Sequence, residues 1–269
     1  MTTKNIGKEG VRWFVGKVED INDPEMLGRV KLRVLNEHTE TKISVDDLHW
    51  ATPLLPTTSA SFRQVGRSPT GLLVGSLVFG WFLDGNEKQM PIIWGSYAKL
   101  PGKDQANNDV PALARETNTI DKPLDGPEPK SAYAAKYPYN HVWQTLAGHV
   151  IEVDDTASHD RLHVYHRSGT YTEINTDGRY VKKVMDNDVE IVIKDKDVYI
   201  KGDVRIHVLG NVNITVDGHV KAKAADWDIT GDVALHGKLT ADGDVIGNNI
   251  SLDNHTHTDP QGGSTGQPQ

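Results

Sequence analysis

The chain contains no cysteine. That absence excludes a disulfide framework and a thiolate metal site, so stiffness has to come from packing, backbone pairing, assembly or a metal held by other ligands. Phe and Met are scarce, four of each in 269 residues, while Val and Ile are plentiful, which favours strands over helices. Long apolar runs are missing too. The most apolar stretch, Gly71 to Leu83, is too short to span a bilayer as a helix and is interrupted by Gly75 and Gly80. Met1 to Val11 is polar and lacks the apolar core of a secretory signal, so a soluble protein not exported by a cleaved signal is expected. Nor is there an excess of positive charge: 29 Lys and Arg stand against 37 Asp and Glu, a formal net charge of −8. Such a chain is not built to coat nucleic acid or an anionic membrane.

What is present separates into regions by composition. Up to residue 98, short runs alternate apolar and polar residues between turn signals. Trp13 to Val18 is one strand candidate. Arg29 to Val34 is another, with Val30, Leu32 and Val34 on one side and Arg29, Lys31 and Arg33 on the other. Asn22-Asp23-Pro24 reads as the turn between them. Leu72 to Leu83 and Pro91 to Ser96 supply more strands, with a hairpin turn at Asp84-Gly85-Asn86. About five strands with almost no helical period predict a small closed barrel. Residues 99–139 are rich in Pro, Asn, Asp and Lys and read as a linker, since Pro cannot join a sheet interior.

Residues 140–254 carry a repeat. Gly202 to Leu209, Gly210 to Asp217 and Gly218 to Ala225 share one eight-residue template: glycine first, apolar residues at the third, fifth and seventh places. Farther on, Gly231, Gly237 and Gly243 recur every six residues, each followed two places later by Val233, Leu239 or Val245. Each block is a short strand and a tight turn. Its apolar side chains point one way, and Arg205, His207, Asn213, Thr215, Lys221 and Lys223 point the other. One such unit cannot bury its apolar side alone and must stack on neighbours. An eight-residue coil is short for a single-chain β-helix, which has to make every side of each coil. Three chains, each contributing one side per layer, would close a triangular prism. The expectation is an intertwined homotrimeric β-helix needle that narrows where the repeat shortens. The competing reading is a β-sandwich with coincidental glycines, which three consecutive matches to one template argue against.

Residues 255–269 form the candidate tip and tail. His255 and His257 fall on one side of an extended strand. In one chain two imidazoles make a weak site, and His-x-His alone reads as a tail. In a trimer three pairs converge and offer six nitrogens. Six equivalent nitrogens favour an octahedral ion, and imidazole suits Fe, Ni, Cu and Zn. Structural zinc prefers four tetrahedral ligands, so one Fe ion per trimer is expected, with Zn or Ni as lesser alternatives. The stretch from Asp259 to Gln269 is too polar and Gly/Pro-rich to pack by itself. His159, His163 and His166 are expected on a strand surface rather than around a metal.

These segments carry a family resemblance. Gly28 to Val34, Asp47 to Pro53 and Pro91 to Gly95 resemble the OB-fold of the central spike (baseplate hub) proteins of contractile-tailed bacteriophages. Leu113 to Asn118, Gly148 to Asp155 and His166 to Gly169 look like the same family's needle entrance, which is also similar to type VI secretion spikes. His255-Thr256-His257 matches the iron-binding tip of the phage spikes. The resemblance implies an all-β chain with an N-terminal OB-fold barrel at 1–98 and a trimeric needle at 140–254. It also implies a virion protein at the baseplate tip, mounted on a hub protein and pushed through the host outer membrane when the sheath contracts. Some members carry a lysozyme domain between barrel and needle, and the linker here has no room for one. Others end blunt and take a separate tip protein, whereas the histidine pair here suggests a self-made tip. Type VI spikes carry a hub domain before the barrel; this chain starts at the barrel, which favours the phage reading over a type VI-like or tailocin spike.

Two rivals come from other classes. A β-helical polysaccharide-degrading enzyme needs paired carboxylates in a cleft. The acidic residues Asp154, Asp155, Asp186, Asp188 and Glu190 sit at turns or on polar sides of strands, and no nucleophile motif is present, so no catalysis is expected. A single-strand binder would need a basic groove with aromatic platforms on the barrel. Arg29, Lys31, Arg33, Arg63 and Arg67 are basic, but the chain is acidic, and no nucleic-acid partner is expected.

Overall fold

The computed structural model describes residues 11–62, 70–98 and 129–267. Most of the linker, with Leu113 to Asn118, lies outside the described residues, as do Arg63 and Arg67. The chain divides into two compact units, Met1–Ile200 and Lys201–Gln269.

The first unit begins with five strands: β1 (Arg12–Asp20), β2 (Val30–Val34), β3 (Trp50–Pro53), β4 (Leu77–Phe82) and β5 (Pro91–Tyr97). They close into a barrel in the order β1-β2-β3-β5-β4, antiparallel except for β3 beside β5. The alternation read from sequence places Phe14, Val18, Val30, Leu32, Val34, Val78, Phe82 and Ile93 inside. β4 is shorter than the apolar run around it, because Gly75 takes a positive φ of 92° and turns the chain before Leu77. At Gly80 a Cβ would lie 2.0 Å from the Ile92 carbonyl oxygen, so only glycine lets β4 and β5 approach across the bulge there. The Asn22-Asp23-Pro24 turn is closed by Asp23. Its carboxylate accepts from the backbone N–H groups of Glu25, Leu27 and Arg29 and from the Arg29 guanidinium at 2.7 Å. The Arg29 bond and the backbone donors hold the Asp23 carboxyl well below its usual range.

Farther along the same unit, β6 (Asn140–Gln144), β7 (Val150–Asp154), β8 (Arg161–Tyr165), β9 (Tyr171–Ile174) and β10 (Tyr180–Lys183) form an antiparallel meander. Its two sides are unlike. The covered side carries Val150, Tyr165 and Tyr171 together with Glu152, Asp154, Arg161, His163, Glu173 and Lys183. The open side carries Trp143, Ile151, Val153, Leu162, Val164 and Ile174. The segment from Ser131 to Tyr139, assigned to the linker from composition, lies on the charged side as a strap.

Beyond β10 the regular pairing stops. Residues 184–245 contain no strand, and among the described residues no backbone–backbone hydrogen bond joins any two of residues 186–244. Their apolar side chains stand in solvent: Ile193 in the first unit is 90% exposed, and Ile206 and Ile214 in the second are 81% and 82% exposed. The second unit regains local order at a hairpin of β11 (Ile246–Gly247) and β12 (Ile250–Ser251). Its turn, Asn248-Asn249, has positive φ at both positions, which asparagine tolerates better than most side chains.

Candidate functional site

The histidine pair sits just after this hairpin. The Leu252 N–H donates to the Val245 carbonyl, and the Asn254 N–H to the Ser251 hydroxyl, so the chain turns back before His255. The His255 N–H reaches the Ser251 carbonyl, and the ring Nδ1 lies 2.9 Å from that same oxygen. An Nδ1–H donating there leaves Nε2 with a free lone pair, the usual preparation of a ligating imidazole. The His257 ring stands 5.1 Å from that of His255 at 85°. The donor chemistry suits a transition metal, but one chain supplies only this pair. Among the described residues no cluster of three or more His, Asp or Glu side chains is arranged to hold an ion. An ion here would need ligands from further copies.

The tail after the pair buries no apolar core, as its composition implies, but its described residues hydrogen-bond to one another. Thr265 N–H donates to the His257 carbonyl, and the His257 N–H donates to the Thr265 hydroxyl. Asp259 closes the return, accepting from the N–H groups of Gln261 and Gly263. Backbone and side-chain hydrogen bonds, rather than apolar burial, fold it.

The second feature is the inverted sheet. Arg161 and Glu152, both with side chains 1% exposed, are in direct contact on its covered side. The other Arg161 nitrogen donates to Glu173 at 2.8 Å, and His163 Nδ1 lies 3.1 Å from the same carboxylate. Asn140 donates to Glu152 at 2.6 Å. Burial pushes the Glu173 carboxyl up, but hydrogen bonds from His163, Ser131, the Ala132 N–H and Arg161 outweigh it and hold the pKa down at about 2. His163 is thus a buried member of this network and not a surface residue of its strand. Sequence reasoning missed the network because charged and apolar residues both alternate here, and alternation does not say which side is covered.

The barrel has its own outward feature. Trp13 on β1, Phe79 and Trp81 on β4 and Trp94 on β5 form one ring cluster, with Trp13 stacked on Phe79 at 5.1 Å and Trp81 edge-on to Trp94 at 5.4 Å. Trp13 and Trp94 remain more than half exposed. The basic residues in and just before β2 are bonded within the barrel. Arg33 is tied to Glu19 and the Ile43 carbonyl, Lys31 to the Asp46 carbonyl, and Arg29 to Asp23.

Part of the barrel is similar to a known family. Residues 34–120 match the family described as the Gp5 N-terminal OB domain. That match takes in β3, β4 and β5 of the barrel and begins at the last residue of β2. Protein Gp5 of Vibrio phage KVP40 is 32% identical over 274 residues, covering 77% of this chain and 65% of the relative. The pre-baseplate central spike protein Gp5 of Enterobacteria phage T4 is 33% identical over 105 residues, covering 37% of this chain and 18% of the relative. The chain therefore spans about two thirds of the Vibrio phage relative and under a fifth of the T4 one, and the similarity to phage central spike proteins holds.

Proposed function

We propose that the chain is the central spike of a contractile phage tail, a virion protein at the baseplate tip that acts mechanically and not as an enzyme. The observation that carries this reading is the inverted sheet followed by unpaired repeats. The open side of β6–β10 and the apolar stripe from Val189 to Val245 leave apolar surface in water that none of the described residues covers. Exposure on that scale marks an interface. The free backbone groups of residues 186–244 need partners as well, and in an eight-residue repeat they are met by two further copies of the same chain. The homotrimer buries the open sides against one another, and the repeats wind into a β-helix without free edges.

In this reading each element has a mechanical task. The barrel mounts the spike on a baseplate hub protein. The charged outer surface of the needle keeps it from adhering to lipid during passage through the host outer membrane. At the far end His255 and His257 from three chains hold one iron ion through six imidazole nitrogens. The ion ties the three chain ends to one another, and Ser251 fixes the orientation of each His255 ring.

Light scattering with elemental analysis of the purified protein tests the proposal. A trimer carrying one iron per three chains is expected. A monomer free of metal would remove the physical reason for the repeat and end the spike reading.

A further inference from the structure

The strap poses a mechanical question that the spike reading leaves open. A chain entering the meander must join it somewhere, and the first strand in sequence, β6, is an edge strand bonded only to β7. A pull on the linker applied directly to β6 would open its hydrogen bonds one after another, the weakest way to load a sheet. The chain does not enter that way. Ser131 Oγ donates to Glu173 on β9 at 2.6 Å, and the Ala132 N–H donates to the other oxygen of that carboxylate at 3.1 Å. The Tyr133 ring lies under the Arg161 guanidinium of β8 at 4.7 Å, and Arg161 also reaches Ser131 at 3.3 Å. The Lys136 N–H then donates to the Thr156 hydroxyl just past β7, and Tyr139 leads into β6. The strap thus crosses from β9 to β6, with its firmest anchors farthest from β6.

We propose that this strap is a force anchor: load from the linker enters the sheet at Glu173 and Arg161 on the interior strands β9 and β8, in shear, and the edge strand β6 is shielded from peeling. The buried charges serve this purpose. Charge-assisted bonds are short, directional and about twice as strong as neutral ones; Arg161 and His163 brace the Glu173 carboxylate, and Glu152 holds Arg161 in turn. Apolar packing alone would let the strap slide along the sheet. The inference rests on the spike reading only for the origin of the load; the anchoring itself is a property of the sheet.

The test uses the full-length protein, pulled between its N-terminus and a unique thiol introduced as Arg179→Cys in the exposed turn after β9. The absence of native cysteine makes that attachment specific. The double variant Ser131→Ala, Tyr133→Ala removes the strap's side-chain anchors, leaving the Ala132 and Lys136 backbone donors and the Arg161–Glu152–Glu173 contacts in place. At rest, exchange of the amides of residues 131–136 should quicken about tenfold, as expected for losing one net hydrogen bond, with β7–β9 unchanged. Under load the first rupture should move to lower force and release β6 ahead of β7. Ser131→Thr, which keeps the hydroxyl, should behave as the native chain. Quicker strap exchange with an unchanged rupture force would overturn the proposal, and so would unchanged exchange. The molar mass of the same sample keeps the two readings apart: a normal trimer with unaltered rupture force sinks only the anchor, and a monomer sinks only the spike.

Discussion

Glu173→Gln removes one charge and little volume from the buried network, and its effect can be worked from the structure. A carboxyl held at about 2, against 4.5 for an ordinary glutamate, corresponds to about 3 kcal/mol of folding free energy per chain at neutral pH. The sign follows from the direction. The folded-state pKa is depressed, so the contribution is complete above the unfolded pKa and is lost as pH falls from about 4.5 through about 2. Glutamine cannot supply it at any pH. It also leaves Arg161 with Glu152 as its remaining carboxylate and deprives His163 of its charged neighbour. A loss of about 2–4 kcal/mol per chain at pH 7 is therefore expected. The assay is guanidinium unfolding at fixed protein concentration, since assembly makes apparent stability concentration-dependent. Amide exchange across β8 and β9 would locate the change. The native protein should lose stability between pH 5 and pH 2.5 more steeply than the variant. Adding Arg161→Met to Glu173→Gln should cost less than the sum of the two single changes, because both remove the same Arg161–Glu173 bond. A loss below about 0.5 kcal/mol, or identical pH slopes, would refute the reasoning, since that is what an ordinary surface substitution does.

Leu162→Asp places a charge on the open side of the sheet; if that side is a subunit interface the trimer should fall apart in light scattering, whereas on a free surface the change would alter stability by under about 0.5 kcal/mol. His255→Ala with His257→Ala should abolish metal in elemental analysis and quicken amide exchange after Ser251 while leaving the trimer intact; dissociation would contradict the division between shaft and tip. Gly80→Ala would drive a Cβ into the Ile92 carbonyl, so a loss of about 2 kcal/mol or more in barrel stability is expected, and a neutral result would mean β4 and β5 are not as close as described.

Several features are legible in the residue pattern alone. Alternation along Trp13 to Val18 and Arg29 to Val34 marks real strands, and the barrel closes with the number expected. The pattern places the side chains of Lys31 and Arg33 on the correct side of β2 but does not show that they are covered. Their partners, Glu19 and the carbonyls of Ile43 and Asp46, come from elements that no local pattern connects. At the tip, proximity of the two histidines follows from their spacing. The hairpin that precedes them does not, although Asn248-Asn249 is a turn signal, because the glycine repeat around it reads as more needle.

By itself the sequence determined what is periodic: which residues alternate, where glycine interrupts, and that an eight-residue unit cannot bury its own apolar stripe. Those are local properties, set by the geometry of an extended backbone. Tertiary structure alone decided which side of the 140–183 meander is covered. A period of two is symmetric between the sides, and the strap from Ser131 to Tyr139 breaks the symmetry by bringing donors to Glu173 and a ring to Arg161 from a distant part of the chain. Once the strap covers the charged side, the apolar side has no cover among the described residues.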